Sequence, residues 1–417
     1  MKRVLAVLLA VSVTASFACA GETLKVLLGQ HSWTDAVKTL IPEFEKETGI
    51  KIDLEVYGDQ QLSQKLTVMF ASGSSDVDVF LMRPLQEARL MKKNGWCEDL
   101  TPYFKDDAEY DFADYTPGSV QATSVDGMQT SIPVMNESQL IYYRADVFKE
   151  KGVEPPKTFE ELETVCEKLT DKTNDFYAFV SRGARSPLVT QFSSYLYGFG
   201  GDFFDAKAMK ALIDTPEFIA AAEYYGRLLK NYGPPGALNM GWTQAIAVFQ
   251  QGKGAMYIDA SSQYPNLLDP AKSMVADKTG IAAFPAGPKG RKVYDITAWG
   301  ISMSSRSQKK DAAWKFIRYM TDKERTTVIQ GNFANQCARK SAYASEEGTK
   351  SFPADWVKVI LDSAPYGVGH DRPLVTQVEL ARDIVGGAVT AGIEGKDVKA
   401  AAVQAQKMFQ ELLDKED

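Results

Sequence analysis

Two histidines and four cysteines in 417 residues leave this chain poor in the side chains that most often hold transition metals. Cys19, Cys97, Cys166 and Cys337 form neither a CxxC pair nor a Cys/His cluster, which argues against a zinc site and a dense disulfide framework. The sequence therefore predicts no metal and no cofactor. The patterns GxSxG, HExxH and GxxxxGK(S/T) are also missing, and with them the commonest local signatures of serine hydrolases, zinc proteases and P-loop enzymes. Basic residues are outnumbered, 47 against 54 acidic ones, so nucleic acid and anionic membrane surfaces are poor partners. No window beyond the first twenty residues has the eighteen or so uninterrupted apolar residues that a membrane span needs.

Those first twenty residues are of another kind. Lys2 and Arg3 precede the apolar run Val4 to Val13, and Ala18-Cys19-Ala20 has the small-x-small form of a signal-peptidase site. The expectation is a cleaved leader over 1–20, a mature chain starting at Gly21, and a periplasmic location. Acylation of Cys19, giving a membrane-anchored lipoprotein, is the competing reading. Loss of Lys2 and Arg3 leaves 45 basic residues and a net charge of −9. Three widely spaced cysteines then remain, at most one disulfide among them, and three small apolar thiols are the simpler expectation.

What is present is the alternation of short apolar strands with amphipathic helices. "TLKVLLGQ" reads as a buried strand, and Val37, Leu40, Ile41 and Phe44 recur at helical spacing up to the stop at Gly49. "IKIDLEV" alternates, a helix runs through Leu62, Leu66 and Phe70, and "DVDVFLM" is strand-like. This β-α-β-α-β order predicts a doubly wound sheet with ligand sites beyond the carboxyl ends of its strands, where Ser32, Trp33 and Arg83 fall. Asp126-Gly127 marks a hairpin turn, and Thr158 with Glu161 has capping-box spacing. A second α/β unit follows, and the first crossing into it is expected near Ile132-Pro133. Farther on, Trp242, Ile246 and Phe249 share one helical face, and "AMYID" leaves Tyr257 and Asp259 on the side of the strand opposite Met256 and Ile258.

Five segments, "IYYRADVFKEKGVEPPKTFEELE", "GGDFFD", "AVFQQGKGAMYID", "GIAAFPAGP" and "DAAWKFIRYMTDKE", resemble in sequence and order the bacterial extracellular solute-binding proteins that serve ABC importers for sugars and sugar alcohols. The resemblance implies an α/β, two-lobed periplasmic-binding-protein fold, each lobe a doubly wound sheet with flanking helices, and a ligand cleft between the lobes. The N-terminal lobe would hold 21–132 and 284–330, and the C-terminal lobe 133–283 and 331–417. It also implies a monomer without catalysis, which takes a sugar or polyol and hands it to the transmembrane subunits of an ABC permease.

Sugars and polyols present apolar C–H patches and directional hydroxyls, and binders of this family meet them with aromatic faces, carboxylates, amides and arginines. Carried onto this chain, Trp242 becomes the stacking platform and Asp259 the hydroxyl acceptor. Trp299 would bring an aromatic from the first lobe. Glu137, Arg372, Trp33, Arg83 and Tyr195 complete the expected ligand contacts. Trp96, Trp314 and Trp356 are read as packing, and Asp78 as the cap of a strand end. The competing classes are a secreted carbohydrate hydrolase working through paired carboxylates, a metal or siderophore carrier, and a chemosensory protein using the same fold. The stretch from Gly241 leans toward sorbitol and mannitol binders rather than maltose binders.

Overall fold

The computed structural model describes residues 22–416, so the leader segment and both readings of Cys19 lie outside the described residues. The first β-α-β-α-β unit is present as β1 (Thr23–Gly29), α1 (Ser32–Thr48), β2 (Lys51–Tyr57), α2 (Asp59–Ala71) and β3 (Val79–Met82). β1 pairs in parallel with both β2 and β3. α1 buries Val37 and Phe44, and α2 buries Leu62, Leu66 and Phe70, the residues whose spacing marked each apolar face. α1 stops at Gly49, whose φ of 74° is a left-handed conformation that glycine adopts without strain. α3 (Pro84–Lys93) follows β3 directly.

Two long strands then join the halves of the molecule. β4 (Ile132–Arg144) pairs with β8 (Val293–Met303) along its first half, up to Ser138, and with β6 (Gly254–Ala260) and β7 (Thr279–Ala283) from Gln139 onward. With β5 (Tyr177–Val180) and β9 (Gly367–Val368) these make one nine-stranded sheet, whose central path runs β2-β1-β3-β8-β4-β6-β5. The flanks are parallel, but β8 runs antiparallel to β3 and to β4, and β4 antiparallel to β6, so the sheet is mixed at its centre.

Most of the buried apolar residues fall into two large cores, one around β1 to β3 and one around β5, β6 and the helices packed on them, and smaller clusters form around Trp356 and around Tyr294. Phe284 and Val293, expected in the first lobe, pack in the second core, because the chain reaches the first core only along β8. Cys337 and Ala338, expected in the second, pack in the first. The switch of β4 from β8 to its second-lobe partners comes at Ser138/Gln139, about six residues after the expected crossing.

Local chemistry accounts for several joints. Asp126 and Gly127 have φ of 45° and 80°, the left-handed pair of a two-residue hairpin turn. Thr158 Oγ1 accepts from the Glu161 amide at 3.2 Å, but the Glu161 carboxylate accepts from the Lys157 amide rather than closing the box on Thr158. Trp96, Trp314 and Trp356 are buried, as read from their patterns. Cys97, Cys166 and Cys337 are free and buried, and burial pushes the Cys97 and Cys337 thiols up to about 12. Asp78 is buried and bonds Ser307 Oγ and Lys309 Nζ, tying β3 to the segment after β8.

Candidate functional site

Every residue of β6 is buried, as expected for a strand between two neighbours, and its carboxyl end carries Asp259. The carboxylate is fully buried and engaged: Arg182 donates from Nε to Oδ2 at 2.9 Å and from Nη2 to Oδ1 at 2.5 Å. Gln191 Nε2, from α4 (Leu188–Gly198), adds a bond to Oδ1 at 2.9 Å, and the Ala260 amide another at 2.7 Å. A carboxylate so occupied is not the hydroxyl acceptor expected of it. Its role is to fix Arg182, whose guanidinium burial alone would make less basic and the Asp259 charge holds above its ordinary value.

Glu137 stands near the point where β4 changes partners. It is half-buried, and Oε1 accepts from Ser262 Oγ at 2.6 Å. Burial pushes its carboxyl above the usual range; the Ser262 bond and Arg182 oppose this, while the fields of Asp259 and Asp371 add to it. Arg372 joins the same group of charges. It grips Asp371 with two bonds of 2.6 Å, and Asp371 Oδ2 also accepts from Thr190 Oγ1 at 2.7 Å. Burial would raise the Asp371 carboxyl, but the Arg372 guanidinium overrides it and holds it down at about 2.

Trp242 opens α5 (Trp242–Gln250) and is 44% exposed, while Ile246 and Phe249 on the same face are buried. Its helix is anchored beside Arg182: the Met240 carbonyl accepts from the amides of Gly183 and Ala184, both at 3.0 Å. Gly183 allows that approach, since a Cβ there would sit 2.4 Å from the Ala237 carbonyl oxygen. Glu137 thus lies within the electrostatic reach of Arg182, Asp259 and Arg372, and Trp242 opens the helix anchored beside Arg182.

The remaining expected contacts lie elsewhere. Trp33 is 1% exposed inside the first core, because the first turn of α1 packs inward onto the sheet. Tyr195 is wholly buried among Phe159, Phe179, Tyr225 and Phe284, and leaves no face for a ligand. Arg83 sits at the end of β3 as expected but clamps Glu87 at 3.0 Å and Ser63 at 2.9 Å, binding α2 to α3. Trp299 is 6% exposed, its ring 5.0 Å from that of His31, a histidine whose burial lowers it to about 4. Arg182 and Gln191 escaped the sequence reading. Arg182 follows the end of β5 by two residues, so the strand-end rule that selected Arg83 would have found it. Gln191, inside a helix, carries no such signal.

The chain and its fold have counterparts among known proteins. A family model described as bacterial extracellular solute-binding protein matches residues 30–326. A mannitol-binding protein of Pseudomonas aeruginosa is 27% identical over 305 residues, 72% of this chain and 69% of that one. An erythritol/L-threitol-binding protein of Mycolicibacterium smegmatis is 26% identical over 343 residues, 78% and 72% of the two chains. Among solved structures, an ABC transporter solute-binding protein of Agrobacterium radiobacter in complex with ribitol superposes with a TM-score of 0.80 at 29% identity, over 94% of this chain and 99% of that one. One from Agrobacterium vitis with bound D-mannitol gives 0.75 at 27% identity, over 95% and 99%.

Proposed function

Because the chain belongs to the bacterial extracellular solute-binding protein family, we propose that it is the capture component of an ABC importer for a neutral polyhydroxylated solute, an acyclic sugar alcohol before a cyclic sugar. The solute lies between the lobes on the Glu137, Arg182 and Arg372 floor and against Trp242. It is released to the permease outside the cytoplasmic membrane, to which a cleaved leader over 1–20 directs the chain. The two lobes are joined by crossings in β4, in β8 and after Ala338.

One observation carries the reading. Both arginines on the floor are already paired bidentately, Arg182 with Asp259 and Arg372 with Asp371. Neither has a free charge for an anionic sugar acid or phosphate, while each keeps directional N–H groups for hydroxyls. The full occupation of Asp259 also supports binding over hydrolysis, since a glycosidase needs two carboxylates free to face one bond. The relatives that bind mannitol, erythritol or ribitol lend weight to the acyclic class.

Calorimetry of the purified protein with mannitol, ribitol, erythritol, maltose and a sugar acid tests this. Saturable 1:1 binding of a polyol, with no product formed, is expected. Preference for the sugar acid would overturn the charge argument, and turnover of a glycoside would overturn the binding role.

A further inference from the structure

One side chain on a helix of the first core bridges to two charged groups beside the second. Gln86 lies in the first turn of α3, whose Ala88 and Met91 pack in the first core. Its Oε1 accepts from Arg372 Nη1 at 3.0 Å, and its Nε2 donates to Glu379 Oε1 at 2.9 Å. Arg372 precedes α6 (Val378–Glu394) and Glu379 is its second residue; Val375, Val378 and Ala381 around them pack in the second core. The amide thus sits between a cation and an anion of the opposite lobe, oxygen toward the cation and nitrogen toward the anion.

We propose that Gln86 is a latch across the cleft, which holds the lobes together and sets how long a captured solute stays. Three features support it. The amide matches both charges at once, and neither lysine nor glutamate could do so, since each carries one sign. The receiving side is stiff: Arg372 is locked onto Asp371, and Asp371 onto Thr190, which also accepts from Arg382 Nη2 at 3.2 Å. The latch lies at the solute floor, since the field of Glu137 reaches Arg372. Without the amide, Arg372 and Glu379 can turn toward each other within their own lobe, and α3 loses its polar tie there, keeping the small apolar cluster of Leu85 with Tyr294, Ile296 and Leu374. The effect on solute retention rests on the function proposed above; the effect on lobe position does not.

The test uses two readouts on the full mature chain. Dyes on cysteines introduced at Val68 and Val403, exposed sites on α2 and on the last helix, report lobe separation by energy transfer; the three buried native thiols are left unlabelled. Stopped flow with mannitol reports dissociation. Gln86→Ala should deplete the short-distance population of the ligand-free protein and speed dissociation roughly ten- to a hundredfold, the loss of two hydrogen bonds to charged groups, one of them exposed. Gln86→Glu should do the same, because its carboxylate keeps Arg372 but faces Glu379. Adding Glu379→Gln to Gln86→Glu should restore both readouts, since the new amide donates to the new carboxylate. An unchanged distance distribution in Gln86→Ala, or no rescue in the double variant, overturns the latch. Should the wild type bind no polyol, the function above fails while the distance measurement still decides the latch.

Discussion

Replacing Trp242 by alanine separates folding from binding at one position. The residue is 44% exposed, so of roughly 250 Å² for a large aromatic side chain about 110 Å² is open to solvent. Complete covering of that surface by the C–H face of a solute would stabilise the complex by about 2.7 kcal/mol at 25 cal/mol per Å². Covering half would contribute about 1.4 kcal/mol. The expected loss of affinity for Trp242→Ala is therefore roughly ten- to a hundredfold. Stability of the ligand-free protein should fall by no more than about 2 kcal/mol, because the covered remainder of the side chain, roughly 140 Å², packs at the surface, where water and neighbouring side chains can fill the space it leaves. Calorimetric titration with mannitol or ribitol gives the first quantity and denaturant unfolding the second. Unchanged affinity would remove Trp242 from the site. A destabilisation above about 2 kcal/mol with normal affinity would show that the residue holds the helix, against the exposure on which the estimate rests.

Two further outcomes follow from buried carboxylates. Asp259→Ala leaves the Arg182 guanidinium without its charged partner, so it should destabilise the fold by about 3 to 5 kcal/mol in urea titration; Asp259→Asn, which keeps an acceptor, should cost about 1 to 3 kcal/mol, and equal costs would refute the charge pairing. Asp295, on β8 beside Asn136, has its carboxyl raised by burial to about 7 from 3.8, with the Asn136 amide donating at 3.1 Å. The folded state then holds more protons than the unfolded state between about pH 4 and 7. Stability should fall as pH rises through that window, by up to about 4 kcal/mol, and level off above it. The groups around it, Gln336, Cys337, Lys340 and Tyr343, bring only Lys340 as a cation, and that amine bonds the Ala113 carbonyl. Asp295→Asn should flatten the slope in unfolding experiments from pH 4 to 8; a slope that persists would assign it to another group.

How much was legible in the sequence divides along a physical line. Elements set by neighbours a few residues apart could be read directly: the apolar faces of α1 and α2, the left-handed hairpin at Asp126-Gly127, the stop at Gly49, and the ends of strands where polar side chains gather. The resemblance added the two-lobed plan, because five segments in order carry information that periodicity lacks. Tertiary structure alone decided which side chains at those places are free. Trp33 and Trp242 each stand in the first turn of a helix with similar local patterns, yet one is 1% exposed and the other 44%, since burial depends on what packs over that turn from elsewhere in the chain. Asp259 looked like an open acceptor until Arg182, 77 residues away, filled it. Core membership of Phe284 and Cys337 follows the sheet path for a similar reason, and the long strands β4 and β8 belong to both halves. Short-range sequence fixes φ, ψ and the phase of an apolar face, because those energies are local. The pairing of charges and the sharing of surface between distant segments depend on chain closure, which only the folded molecule sets.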